Sequence, residues 1–426
     1  MGSARSDVVR LFAARALRLF AHGLFSVVLV LHLTAAGMGE AAAGLLLTFT
    51  LLGDTVISLW LTTRADRWGR RRTLVAGAVL VVLAGAAFAT STSFALLLVA
   101  ATIGVVSPSG NEVGPFLAVE MAALSEELPP ERRTSVFAWY QLTGSIAGAV
   151  GALAGGALAG GLQARGVAAL ASYQVVMTAY AIAGVGLGVV FLGLSPATET
   201  RSGDAARTAP RWLGLHRSRR VVLRLSSLFA VDAFAGGFVV QSFVAWWFHD
   251  RFGIGPTALG GIFFGANLLA GLSALSAASL ARRFGLVNTM VFTHLPSNVL
   301  LALVPLMPTL PLAVGVLFVR FSISQMDVPT RQAYTMAVVD PDERSAAAGV
   351  TGIARTIGAA LSPLLAGPLY ASAALSSVPF IAAGGLKALY DLALWRSFRG
   401  VAPRERGAGS AAAGVPREGA ATGTSR

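Results

Sequence analysis

Apolar runs of about 20 residues or more, the length that crosses a hydrocarbon core as a helix, follow one another along nearly the whole chain. Twelve of them occupy residues 9–37, 41–63, 72–92, 95–124, 134–160, 167–194, 222–249, 256–281, 286–305, 310–338, 345–371 and 375–396. Short charged or Gly/Pro-rich joints separate them, and one soluble core has no use for so many. Only 12% of the 426 residues are charged, against about 25% in a soluble domain, and mean hydropathy is +0.70. The expected class is an all-α membrane protein with twelve transmembrane helices. The first run could pass for a signal peptide, but it is too long for an h-region and carries Arg15, Arg18 and His22, so it reads as a retained helix.

The net charge is +13. The Arg residues gather at the ends of apolar runs and form no single stripe, which points to membrane topology and away from nucleic acid. One set of joints holds Arg5 and Arg10, Arg64 to Arg72, Arg132 and Arg133, Arg201 to Arg220, Arg282 and Arg283, Arg344, and Arg396 to Arg406. The opposite set holds only Arg165 and Arg251. The positive-inside rule places the first set, with both termini, in the cytoplasm. The chain has no cysteine, which excludes disulfides, thiolate catalysis and cysteine metal sites. No G-x-x-x-x-G-K-[ST] motif supports ATP-driven pumping, and no His/Glu cluster points to an intramembrane metalloenzyme. An enzyme, a cofactor and a metal are therefore not expected.

The longest break, near residues 196–220, divides the spans six and six. The expected organisation is a six-helix bundle over 1–195, a cytoplasmic linker over 196–220, a second bundle over 221–399 and a disordered tail over 400–426. Four short matches link the halves. "RLFAHG" (Arg18–Gly23) pairs with "DAFAGG" (Asp232–Gly237) at an offset of 214 residues, and "MGEAAAG" (Met38–Gly44) with "IGPTALG" (Ile254–Gly260) at 216. "ADRWGRR" (Ala65–Arg71) pairs with "ARRFGLV" (Ala281–Val287) at 216, and "PPERR" (Pro129–Arg133) with "PDERS" (Pro341–Ser345) at 212. Constant order and nearly constant offset indicate duplication. Two parallel halves with a midplane site between them are a known secondary-transporter plan.

The stretch "TTRADRWGRRRTL" resembles the major facilitator superfamily signature between helices two and three, roughly G-x-x-x-D-R-x-G-R-R/K. Asp66, Arg67, Gly69, Arg70 and Arg71 match it, and Thr62 replaces its leading Gly. The second half keeps only Arg283-Phe284-Gly285. The resemblance implies a cytoplasmic gate. Asp66 would cap and complement the N-terminus of helix eleven, and Arg70 would pair with an acid, for which Glu120 is the candidate. Helix five, "TGSIAGAVGALAGG" (Thr143–Gly156), is similar to the antiporter pattern G-x-x-x-G-P-x-x-G-G, with Ala149 in place of Pro. The Arg that proton-driven drug exporters carry in helix four is missing from "VAATIGVVSPSG" (Val99–Gly110).

Ionisable residues at bilayer depth are functional candidates by default. Helices one, four, seven and ten hold most of them, and these four line the central cavity in the family. Arg18, His22, Asn111, Asp232, Arg320 and Arg331 are candidates for the substrate cavity. Arg18 and Asp232 are repeat-equivalent and are expected to face each other across it. Glu112 has no basic neighbour on its own helix, and a lone carboxyl in a low-dielectric cavity suits a proton carrier. It is the first choice for proton coupling, and Asp327 the second. Asp327–Arg331 and Lys387–Asp391 are i,i+4 pairs, the latter read as structural. Pro115 and Pro329 are expected to kink helices four and ten.

The function expected is secondary active transport of a small organic molecule across the cytoplasmic membrane, as proton-coupled export by a monomer. Its partners would be that substrate, protons and the lipid bilayer. The alternatives are uptake of an organic anion or sugar, and a receptor or scaffold that kept the fold without transporting.

Overall fold

The computed structural model describes residues 2–127, 130–195, 198, 217–340 and 343–400. Most of the expected linker and the tail lie outside these residues, as do the side chains of Asp66 and Arg67. Among the described residues the chain is helical throughout, without strands. The first bundle contains α1 (Gly2–Ala35), α2 (Glu40–Trp68), α3 (Arg70–Thr90), α4 (Phe94–Ile103), α5 (Phe116–Glu127), α6 (Pro130–Ala164) and α7 (Ala169–Leu192). The second contains α8 (Arg219–Gly237), α9 (Gln241–Phe252), α10 (Pro256–Phe284), α11 (Leu286–Leu303), α12 (Leu310–Ser324), α13 (Asp327–Val338), α14 (Arg344–Tyr370) and α15 (Val378–Phe398). Eleven stretches are long and apolar enough to cross a membrane, and the short apolar helix Phe94–Ile103 begins the twelfth crossing. The protein is a multi-pass membrane protein of two six-span bundles.

Expected spans four, seven and ten are not continuous helices. Residues 104–115, 238–240 and 325–326 leave the helix. Span four breaks at "GVVSPSGNEVGP", where Gly110 and Gly114 take φ of 69° and 82°, values that other residues rarely adopt. Pro115 lies just before α5, and Pro329 lies in the first turn of α13, where a missing N–H is harmless. The prolines thus mark helix restarts and not kinks.

Broken backbone at membrane depth needs partners, and the break in span four has them. Asp54 on α2 accepts from the Gly114 N–H at 2.7 Å, the Tyr180 hydroxyl donates to the Val105 carbonyl at 2.8 Å, and the Ser242 N–H donates to the Pro108 carbonyl at 3.2 Å. Asp54, an intramembrane acid, therefore holds a loop in place.

The bundles meet along two crossed helix pairs, α2 with α14 and α6 with α10. Both meetings use the ends of the helices remote from the Arg-rich joints. A Cβ placed on Gly44 would lie 2.3 Å from the Pro363 carbonyl oxygen, and one on Gly156 would lie 2.3 Å from that of Pro256. Gly44 and Gly260 are repeat partners at the offset of 216, so the closure has the symmetry of the duplication. Near the Arg-rich end of α14, a Cβ on Gly349 or Gly352 would meet nothing within 4 Å. The bundles are packed closely at the Arg-poor end.

The signature glycine has a backbone reason. Gly69 joins α2 to α3 at φ 98°, and its repeat partner Gly285 joins α10 to α11 at φ 83°. Helix-five glycines serve close packing of α6 on α1, since a Cβ on Gly151 would fall 2.0 Å from the Phe20 carbonyl oxygen.

Candidate functional site

Between the bundles lies a cavity of about 750 Å³. Its polar lining comes largely from the interrupted spans. The break in span four supplies Ser109, Asn111 and Glu112, and the break in span ten supplies Gln325. Gln241 starts α9 just after the break in span seven and also lines the cavity. Interrupting a helix frees backbone and side chains that a regular helix would turn away, and such breaks are tolerated where they line a cavity.

Two networks of buried charge flank the cavity, one in each bundle. In the first bundle the Arg18 guanidinium on α1 grips Glu120 on α5 through two bonds, of 2.6 and 2.7 Å. It also donates to Glu112 at 2.8 Å. Arg15, one turn earlier, donates to Glu112 at 2.6 Å and to the Tyr140 carbonyl at 2.7 Å. The Tyr140 hydroxyl donates to Glu120, and Arg15 to Gln141. Forked, charge-assisted contacts of this kind are the strong ones, and they satisfy groups that hydrocarbon would leave unsatisfied.

In the second bundle the signs are exchanged. Asp232 on α8 is the hub. It accepts from Lys387 on α15 at 2.5 Å, from Arg331 on α13 at 3.1 Å and from Arg355 on α14 at 3.2 Å. Arg331 also donates to Asp327 at 3.0 Å. Asp327 is the first residue of α13, where a carboxylate also complements the helix dipole. On the side of α15 facing α11, Asp391 accepts from Asn298 at 2.8 Å and from the Nδ1 of His294 at 2.9 Å. The duplication has kept the positions of the networks and inverted their charges. A cation on span one with acids on span four corresponds to an acid on span seven with a cation on span ten.

Several expectations need correction. Arg18 and Asp232 do not face each other, since each is absorbed by its own bundle. Glu112 is not unpaired. It lies in a break and meets two arginines from another helix, which local sequence spacing cannot reveal. Glu120 does not serve Arg70, because its partners are Arg18 and Tyr140. Arg70 is buried and donates to the Thr198 carbonyl at 3.4 Å within its own bundle, and Arg71 donates to the Leu194 carbonyl at 3.4 Å. Lys387 and Asp391 do not pair with each other. They are about one turn apart, yet Lys387 goes to Asp232 and Asp391 to His294 and Asn298. Asp327–Arg331 is present as expected, extended to Asp232. Arg355, an ionisable candidate in span eleven, finds its partner in Asp232, whereas Tyr140, His294 and Asn298 carry no signal in the sequence because their partners are distant along the chain.

Among the candidates, Asn111, Glu112 and Arg320 line the cavity, together with Arg15 and Lys387. His22, Asp232, Asp327 and Arg331 do not. His22 is buried, stacks on Tyr180 with ring centroids 6.2 Å apart, and has its Nδ1 3.2 Å from the Asn111 carbonyl. Among the described residues no His/Asp/Glu group is arranged to hold a metal.

The model of the Major Facilitator Superfamily matches residues 11–363. The chain belongs to this superfamily. An uncharacterized membrane protein of Saccharomyces cerevisiae is 33% identical over 427 residues, covering 93% of this chain and 95% of that protein. Solved superfamily-type transporters share the fold at low identity. The nucleoside transporter NupG, as a point mutant, aligns with a TM-score of 0.73 and 14% identity over 92% of this chain and all, 100%, of its own. A D-xylose–proton symporter gives 0.70 and 14% over 94% and 98%. A bacterial homologue of the lysosomal transporter Spinster, inward-facing and occupied, gives 0.69 and 16% over 94% and 97%. The superfamily fold is that of a transporter and not of an enzyme, and the two-bundle cavity is where such a fold holds its small-molecule cargo.

Proposed function

We propose that the protein is a secondary active transporter that exports a small polar organic molecule across the cytoplasmic membrane by alternating access, with both termini cytoplasmic and with proton coupling through Glu112. The observation that carries the coupling is position. Among the described residues Glu112 is the one acid that lines the cavity, and it bridges Arg15 and Arg18. A proton arriving from the cavity would neutralise Glu112 and cancel its attraction to both arginines. Glu120 would keep Arg18, while Arg15 would be released toward the cavity. One protonation thus loosens α1 from the break in span four, which is a direct way to bias two packings of the bundles. Asp327, sealed between Arg331 and the first turn of α13, has no such access. Export is supported by the likeness of helix five to the antiporter pattern.

The test uses purified protein in proteoliposomes containing a pH-sensitive dye, challenged with a compound panel. Active compounds are expected to move protons with the parent chain. Glu112→Gln is expected to lose proton movement and ΔpH-driven accumulation while keeping substrate exchange. Proton movement equal to the parent's would remove Glu112 from the coupling role. The sign of ΔpH that drives accumulation separates export from uptake, and a chain that moves no compound under either gradient would be a receptor or scaffold.

Closure of the Arg-rich end belongs to the other half of the cycle. The proposed latch there is Asp66, with Gly69 and Arg70, reaching helix eleven. Asp66→Asn should lower the transport rate without lowering the amount of protein in the membrane, measured by quantitative blotting beside uptake. Normal transport by a well-expressed variant would sink the latch.

A further inference from the structure

Among the described residues four charged side chains line the cavity: Arg15, Glu112, Arg320 and Lys387. Three of them belong to the networks already described, and those networks balance. The first pairs Arg15 and Arg18 with Glu112 and Glu120, two charges of each sign. The second sets Lys387, Arg331 and Arg355 against Asp232, Asp327 and Asp391, three of each sign with His294 counted as neutral. Arg320 stands outside both. It sits on α12, the half of span ten that precedes the break, and its Nε is buried without a hydrogen-bond partner. Among the described residues no acid pairs with it, and its guanidinium carbon lies 4.7 Å from the ring centroid of Phe321.

A cation at membrane depth without a counter-ion is costly unless something completes it. The cavity therefore carries one uncompensated positive charge when empty. We propose that the cargo is an organic anion and that Arg320 receives its negative group. The guanidinium's fork of donors fits a carboxylate through two parallel bonds. The rest of the polar lining is neutral and rich in carboxamides: Asn111, Gln141, Gln241, Asn267, Gln325 and Gln332. Each offers both a donor and an acceptor. Such a lining suits a body bearing hydroxyl, carbonyl or ring-nitrogen groups. The expected class is a small polar monocarboxylate. It enters with a single negative charge, because while Glu112 is ionised and holds Arg15 a second would have no free cation to meet it.

This inference rests on the transport reading of the same cavity, and two readouts keep them apart. Thermal unfolding of the purified full-length chain would be followed with pairs of similar shape and different charge: nicotinate against nicotinamide, benzoate against benzamide, glucuronate against glucose. The same compounds would be offered to dye-loaded proteoliposomes. At least one acid is expected to raise the melting temperature where its uncharged partner does not. Arg320→Gln should need at least about tenfold more of that acid for the same shift, the minimum for losing one charge-assisted contact, while Arg320→Lys keeps part of the response. The unfolding temperature of the ligand-free variants reports whether they fold. Uncharged partners that stabilise as well as the acids, an unaltered response in a folded Arg320→Gln, or no response to any acid would each overturn the anion site. Stabilisation by an acid without any compound-driven proton movement would keep the anion site and reject the proton-coupled transport proposed above.

Discussion

Arg18→Met is expected to be destabilised by about 3–5 kcal/mol, the loss seen when one partner of a buried ion pair is removed. The Arg18 and Glu120 side chains are both fully shielded, with 0% exposure. Without the guanidinium, Glu120 keeps only the Tyr140 hydroxyl, and Glu112 keeps only Arg15. Two carboxylates then share a site with one cation. The loss should come from that imbalance and not from missing packing, since Met fills much of the arginine stem. Adding Glu120→Gln to Arg18→Met should therefore recover most of the stability, because one acid and one cation remain. Thermal unfolding of the detergent-solubilised single and double variants checks this. A single variant as stable as the parent, or a double variant no better than the single, would show that the network is not what holds α1 against α5 and α6.

Gly156→Leu should nearly abolish transport while leaving the protein in the membrane. A Cβ at this position would lie 2.3 Å from the Pro256 carbonyl oxygen and 2.7 Å from the Gly260 Cα. Both obstacles are backbone, so neither can swing aside. The variant must keep α6 and α10 apart at the Arg-poor end. Overpacking of about 3 kcal/mol, applied only to the state closed at that end, shifts the balance of states about a hundredfold. The native chain lacks cysteine, so a single reporter such as Val244→Cys on α9, which lines the cavity, can be read without background. A membrane-impermeant maleimide added from the Arg-poor side should label it far faster in the Gly156→Leu background. Gly44→Leu at the crossed contact should behave alike. Unchanged labelling together with normal transport would remove this closure from the cycle.

The two predictions differ in how much of them the sequence could supply. The closure follows a repeat that is legible as text: Gly44 and Gly260 fall at the duplicated "MGEAAAG" and "IGPTALG". What the text lacks is the crossing, namely that Gly44 meets Gly367 and Gly260 meets Gly156. The networks are less legible still. Arg18, Glu112, Asp232 and Arg331 stand out because charge in an apolar run is expensive anywhere, and Glu120 only as a partner that the resemblance suggests for Arg70. Spacing along a single helix finds Asp327–Arg331 but fails for Lys387 and Asp391, and neither repeat equivalence nor the resemblance finds the partners of Arg18, Asp232 and Glu120. On a helix, i and i+4 neighbours are available to each other. Yet Lys387 is drawn to Asp232, which already holds two other cations, and Asp391 is drawn to His294 and Asn298 on α11.

The sequence by itself determined the class, the twelve crossings, the duplication and the superfamily. These depend on run length, hydropathy and local signatures, all of which are properties of short stretches. Tertiary structure alone decided where spans four, seven and ten are interrupted and which charges neutralise which. It also decided that Arg320 is the cavity charge left over. The physical reason is range. Hydrophobic partition acts residue by residue along the chain, whereas buried ions are satisfied by whatever the fold brings within about 3 Å, and here those partners lie up to 155 residues away.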